Sequence, residues 1–214
     1  LLTSTNTYTG NTFVEGGVLN TLNPATLPGY NVAGKVLVKS NAVLSVRLGG
    51  VGEWTLPDID TLFSNAVFYP GSMIGADTTS GNFVLEEGVD LPNDIGIAKL
   101  GANTFFITNA STYTGPTMFR GGTLSINALD NLGTGRLIFM GGALRYAAAS
   151  GAETSAHIIT NVTGAAIDIV NSAAALTLAG SISGTGSLIK AGAGTLVLSA
   201  PNLSQGRSAS LAES

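Results

Sequence analysis

Hydrophobic residues in this 214-residue chain recur at every second position, in short runs. "KVLVKS" (Lys35–Ser40), "AVLSVRLGG" (Ala42–Gly50), "NFVLEEG" (Asn82–Gly88), "NTFFITN" (Asn103–Asn109) and "GTLSINA" (Gly122–Ala128) alternate in this way. So do "GRLIFMGGALRY" (Gly135–Tyr146), "AAIDIVN" (Ala165–Asn171), "ALTLAG" (Ala175–Gly180), "GSLIKAG" (Gly186–Gly192) and "GTLVLSA" (Gly194–Ala200). Period-2 alternation ending in Gly, Asn or Ser predicts short strands joined by turns. A helix is predicted in one place only, "DIDTLFSNAVF" (Asp58–Phe68), with Asp58 as its cap. There Ile59, Leu62 and Phe63 fall at helical spacing, Pro57 precedes and Pro70 closes. "SAAALTLAG" (Ser172–Gly180) is alanine-rich, but the alternation of Leu176 and Leu178 argues for a strand. Strands at intervals of about 8–12 residues suit either an antiparallel sandwich or a solenoid.

Internal repetition favours the solenoid. "NTYTGNTFVEGGVLNTLN" (Asn6–Asn23) is nearly restated as "STYTGPTMFRGGTLSINA" (Ser111–Ala128), and a worn copy, "NLSQGRSASLAES", ends the chain. Lys99–Gly115 aligns without a gap to Lys190–Gly206, 91 positions on, while Gly10 and Gly115 lie 105 positions apart. Such spacing predicts about four turns per copy. Coils of roughly 20–25 residues would make about nine coils and a rod of about 45 Å. Each coil would bury its apolar positions against the next, with Asn, Ser, Thr and Gly at the corners.

Composition narrows the class. Hydrophobic residues make up 44% and charged residues only 10%, with a net charge of −4. That is not the composition of a disordered chain. Nine Lys and Arg, scattered singly, form no basic patch, so nucleic acid is not an expected partner. Cysteine is absent, which leaves no disulfide framework and no thiolate metal site. No run of 18 apolar residues predicts a transmembrane helix, and no signal-peptide pattern opens the chain. A start at Leu1 is read as that of a processed product or of a piece of something longer.

At "KLGANTFFITNASTYTGPTMFRGGTL" the chain resembles the autotransporter-associated β-strand repeat, also called the passenger-associated transport repeat. Lys190, Gly192, Gly194, Thr195 and Leu196 match the first half of that pattern, as do Lys99 and Gly101 in the earlier copy. Asn6 to Gly10, which includes Tyr8, and Tyr113 to Gly115 match its middle, and Gly122-Thr123-Leu124 its end, with Gly17-Val18-Leu19 as a variant. The stretch from Gly52 to Phe83 resembles the segment that precedes such repeats in long bacterial surface proteins. The resemblance implies a right-handed parallel β-helix, exported and displayed outside the cell. It implies no single activity. The last copy departs from the pattern, lacking both the Tyr and the Thr-rich strand. On this reading one β-solenoid domain covers 1–214: the end of a repeat (1–49), an insert-bearing segment (50–98), a second repeat (99–189) and a truncated third (190–214).

Residues that suggest chemistry each have a plainer reading. Glu53, Asp58 and Asp60 are the nearest approach to a carboxylate cluster, but no calcium-loop motif frames them, and a helix cap with solvated acids accounts for them. Glu86, Glu87, Asp90 and Asp94 read as a solvated face. His157 is the sole histidine and has no partner placed by the sequence. "GTGSLIKAGAG" (Gly184–Gly194) mimics a phosphate loop, yet neither Ser nor Thr follows Lys190. Three sequons, at Asn109, Asn161 and Asn202, are expected by chance. No catalytic, cofactor or metal residue is therefore named. Trp54, Phe68 and Tyr69, grouped with Phe63, form either a sugar-stacking surface or a small satellite core.

The leading expectation is a non-catalytic extracellular structural protein on the bacterial surface, either a stalk or a fibre subunit stacked head to tail through its solenoid ends. The alternative is an adhesin or glycan-binding module that uses the Trp54 insert, with surface glycans as partners. A β-helical polysaccharide lyase or hydrolase is the third reading, and sparse charge argues against it.

Overall fold

In this computed structural model, residues 1–91 and 94–200 are described in full, with the strand backbone of Asn202–Ser204 and Ser208–Ser210. The chain winds as a parallel β-solenoid of about eight turns. Its long sheet has nine strands: Val18–Thr21, Val43–Arg47, Met73–Asp77, Gly96–Leu100, Thr117–Phe119, Leu137–Phe139, Ile159–Asn161, Ile182–Gly184 and Asn202–Ser204. All of its pairings are parallel, and partners on successive strands are 25, 30, 23, 20, 20, 22, 23 and 20 residues apart. Nine strands make eight steps, so the stack runs about 40 Å, slightly less than the nine coils expected.

A second sheet of seven strands begins only at Phe83–Leu85, in the third turn, and runs to Ser208–Ser210. The third side is a full sheet only near the two ends. Thr12–Val14, Val36–Val38 and Val67–Phe68 pair in the first turns, and Gly151–Ser155, Ala174–Leu178 and Thr195–Leu198 in the last. In between, the stretch around Ser111–Pro116 has no strand, and a 3-10 turn, Leu129–Asn131, stands there.

Alternation fixes what the interior contains. One inward column of the long sheet reads Leu19, Leu44, Ile74, Ile97, Thr117, Leu137, Ile159, Ile182. The next reads Thr21, Val46, Ala76, Lys99, Phe119, Phe139, Asn161, Gly184. Within it the rings of Phe119 and Phe139 stack with centroids 4.3 Å apart and planes 4° from parallel. Asn161 is fully buried, and its amide donates to the carbonyls of Gly186 and Ser187, one turn on.

The 30-residue coil carries helix α1, Leu56–Asn65. The helix starts two residues before Asp58 and stops three before Phe68. Thr55 is its cap, and Asp58, at the third helical position, accepts hydrogen bonds from the Thr55 main-chain N–H (3.1 Å) and Oγ1 (2.6 Å). Pro57 fits the first turn, where no intrahelical partner is needed for its nitrogen. Leu62 is fully buried, with Ile59 and Phe63 packed beside it against the core. Val67 and Phe68 then leave the helix as a strand that pairs with Leu37 and Val38.

Candidate adhesive surface

The repeat-motif residues form corners. In the copy that starts at Lys99, the lysine lies on an inward position and is fully buried. Its Nζ donates to the carbonyls of Leu100, Gly101 (3.0 Å) and, one turn on, Gly121 (3.1 Å). The chain turns there through Gly101 at φ +74, where a Cβ would stand 2.4 Å from the Thr79 nitrogen. Lys190 repeats the device. It shares an inward column with Leu144 and Ile167 and donates to the carbonyl of Gly192, at φ +75. The lysine of Lys-x-Gly thus donates to corner carbonyls, three at the half-buried Lys99 corner and one at the exposed Gly192 corner. Burial pulls the Lys99 ammonium down to about 8, and the Asp77 charge opposes that shift.

The tyrosine of the motif closes the next corner. Tyr113 is fully buried, and its hydroxyl shares a 2.6 Å hydrogen bond with Thr117 Oγ1. Tyr8 makes the same 2.6 Å bond to Thr12 with its ring 42% exposed. Gly115 lies under the Asp94–Gly96 backbone, which a Cβ would approach to 2.3 Å, whereas Gly10 faces open space. Gly122 turns the corner into Thr123–Ile126, and Gly194 packs against Ile169. The copies do not recur on one face. Phe13, Met118 and Ala209, equivalent in the repeat, lie in the first three-stranded sheet, the long sheet and the seven-stranded sheet. Each copy is therefore four turns plus one face beyond the last, rather than four turns alone. The rest of the worn copy, beyond its two short strands, lies outside the described residues.

The aromatic insert is divided between inside and outside. Trp54 is 2% exposed and packs edge-on to Tyr30 at 5.3 Å. Phe68 is 8% exposed and lies 5.0 Å from Phe63. Neither presents a face to solvent, so for these two residues the core reading describes the arrangement and the sugar-stacking one does not. The cause is the wide coil. Helix α1 stands away from the long sheet, and large side chains fill the gap, leaving an apolar cavity of about 90 Å³ lined by Val46, Leu56, Ile59, Phe63, Phe83 and Phe105. Tyr69, one residue beyond Phe68, points the other way. It is half-buried on the outer face, with Lys39 Nζ 3.9 Å from its ring centroid.

The acidic residues serve as acceptors. Glu53 takes hydrogen bonds from Gly50 N–H (2.8 Å) and the Ser80 hydroxyl. Asp90 accepts from Thr112 (2.7 Å) and Asp94 from Thr114 (2.6 Å), each across one turn, while Asp60, Glu86 and Glu87 are exposed. Among the described residues no three His, Asp or Glu converge on a possible metal position. The structure does bring Ser155 Oγ to 2.7 Å from His157 Nδ1, a pairing the sequence did not foreshadow. Ser155 is 2% exposed, however, and His157 Nε2 lies 2.6 Å from the Gly133 carbonyl of the previous turn. No carboxylate orients the ring as a nucleophile's base requires, and the pair ties two turns together.

Asp77 is also buried. Burial acts to raise its carboxyl, but hydrogen bonds from Thr79 and Asn20 and the charge of Arg47, 3.5 Å away, outweigh it and hold the group below its ordinary value.

The model of the passenger-associated transport repeat matches residues 1–20, 97–126 and 188–206, the segments that carry these lysine, glycine and tyrosine corners. These three stretches are similar to the passenger-associated transport repeat. The middle match spans one full turn of the solenoid, from Gly96–Leu100 to Thr123–Ile126. The whole chain is also similar to the adhesin BmaC autotransporter of Brucella suis biovar 1, at 29% identity over 97% of this chain. It spans 6% of that protein's length. No solved structure matches.

Proposed function

We propose that this chain is a non-catalytic stalk segment of a surface-displayed bacterial passenger. The supporting observation is the long sheet, whose parallel ladder runs through every turn. Force along the axis is shared by rows of inter-turn hydrogen bonds and by stacked apolar columns. Charged residues make up only 10% of the chain, so the rod attracts few counterions. Display outside the cell rests on the repeat matches and on the autotransporter relative.

Electron microscopy of the purified chain at rising concentration tests this reading. Isolated rods about 40 Å long are expected. Fibres with an axial repeat of one such rod would instead assign a subunit that stacks head to tail through its solenoid ends.

A further inference from the structure

The outer face of the first three-stranded sheet has an unusual composition for this chain. Alternation places Asn11, Phe13 and Glu15 outward on its first strand, and Lys35, Leu37 and Lys39 on its second. Val67 and Tyr69 face outward on the third. Phe13, Leu37 and Val67 are in register, so an apolar row crosses the sheet with Phe13 55% and Val67 39% exposed. Tyr69 ends the adjacent row, next to Lys39.

Lysines flank the apolar row on both sides. The chain has four, Lys35, Lys39, Lys99 and Lys190. The last two are turned into corners, and the first two stand on this face. Lys35 Nζ rests on the Thr9 carbonyl at 2.8 Å, and Lys39 lies over the Tyr69 ring. Among the described residues the ion pairs are Arg47–Asp77 and Arg145–Asp168, so neither lysine has its charge paired.

We propose that this face binds an acidic, uronate-bearing oligosaccharide. Three strands at about 4.8 Å spacing, with three outward residues on each of the first two and two on the third, give a patch of roughly 10 by 13 Å. That is far below the roughly 800 Å² per partner of a stable protein interface, and it matches two or three sugar rings. Phe13 offers an open aromatic face for the apolar side of one ring. Lys35 and Lys39 place positive charge within reach of carboxylates on either side, on a molecule whose net charge is −4. The inference rests on the surface display proposed above. Binding in solution does not depend on where the protein is displayed, so the two can fail separately.

The test is calorimetric titration of the full chain with tetragalacturonate and with its methyl ester, which keeps the rings and removes the charge. The acid is expected to bind, with the ester roughly tenfold or more weaker. Phe13→Ser is expected to abolish binding of both sugars, and Lys35→Gln with Lys39→Gln to erase the preference for the acid. Unchanged melting temperatures would show that these exposed substitutions leave the fold intact. Equal affinity for acid and ester, acid binding that survives the Phe13 and lysine variants, or no binding at millimolar sugar would each overturn the proposal.

Discussion

Lys99 and Tyr113 perform the most specific structural work of single residues in this chain, each closing a corner of the solenoid. Lys99→Met keeps the length of the side chain and removes the donor to the Gly101 and Gly121 carbonyls, while the Leu100 carbonyl keeps its bond from Thr78 N–H, so a loss of about 2–4 kcal/mol in urea-unfolding stability is expected. Lys190→Met, at a half-exposed corner with one such bond, should cost less. Tyr113→Ala is expected to cost about 3–5 kcal/mol, while Tyr8→Ala, already exposed, should cost under about 1 kcal/mol. The lysine also sets a pH dependence. Its folded value of about 8 lies below the 10.5 of a free lysine, so between those limits the unfolded chain binds more protons and stability rises with pH. Tyr113 and Tyr146 are shifted upward, both mainly by burial, with the bond to Glu153 adding to the shift at Tyr146. Above pH 10 the unfolded chain therefore loses phenolic protons first, and stability falls. Urea midpoints should climb from pH 7.5 to 9.5 and then drop, and Lys99→Met should remove the climb alone. The sequence marked these lysines as motif members but not as inward ones, because a charge among alternating residues reads as solvent-facing until its parity with Ile97 or Leu188 is counted.

Among the elements, strands were legible and their faces were not. "KVLVKS" and "GTLSINA" announce strands by alternation alone, but nothing local says which side of the solenoid each joins. That address depends on the residues spent in preceding turns, which range from 20 to 30. The same global count puts the Phe13 row outside and Trp54 inside. Helix α1 was legible through Ile59, Leu62 and Phe63, whereas its boundary was displaced because Asp58 assists the cap at Thr55 instead of being the cap. Asp58→Ala should therefore lower stability by about 0.5–2 kcal/mol, as loss of a cap does. Leu62→Ala should cost about 2–5 kcal/mol, since it opens a void at a fully buried position. Thermal melts of the two variants check both figures.

For the whole molecule, hydrogen-bonded ladders and apolar columns carry the stability, and charge contributes little. With charged residues at 10% and two ion pairs among the described residues, the urea midpoint should move little between 0.05 and 1 M sodium chloride. A stack in which each turn contacts only its neighbours should also yield in units of one turn when pulled along its axis. Single-molecule force spectroscopy, with the chain held at its two ends, tests the stalk reading most directly. Successive unfolding steps should each release one coil, about 70–100 Å of extended chain for 20–30 residues, at forces well above those needed to stretch an unfolded chain. Extension without resolvable steps at low force would contradict a stalk that carries tension.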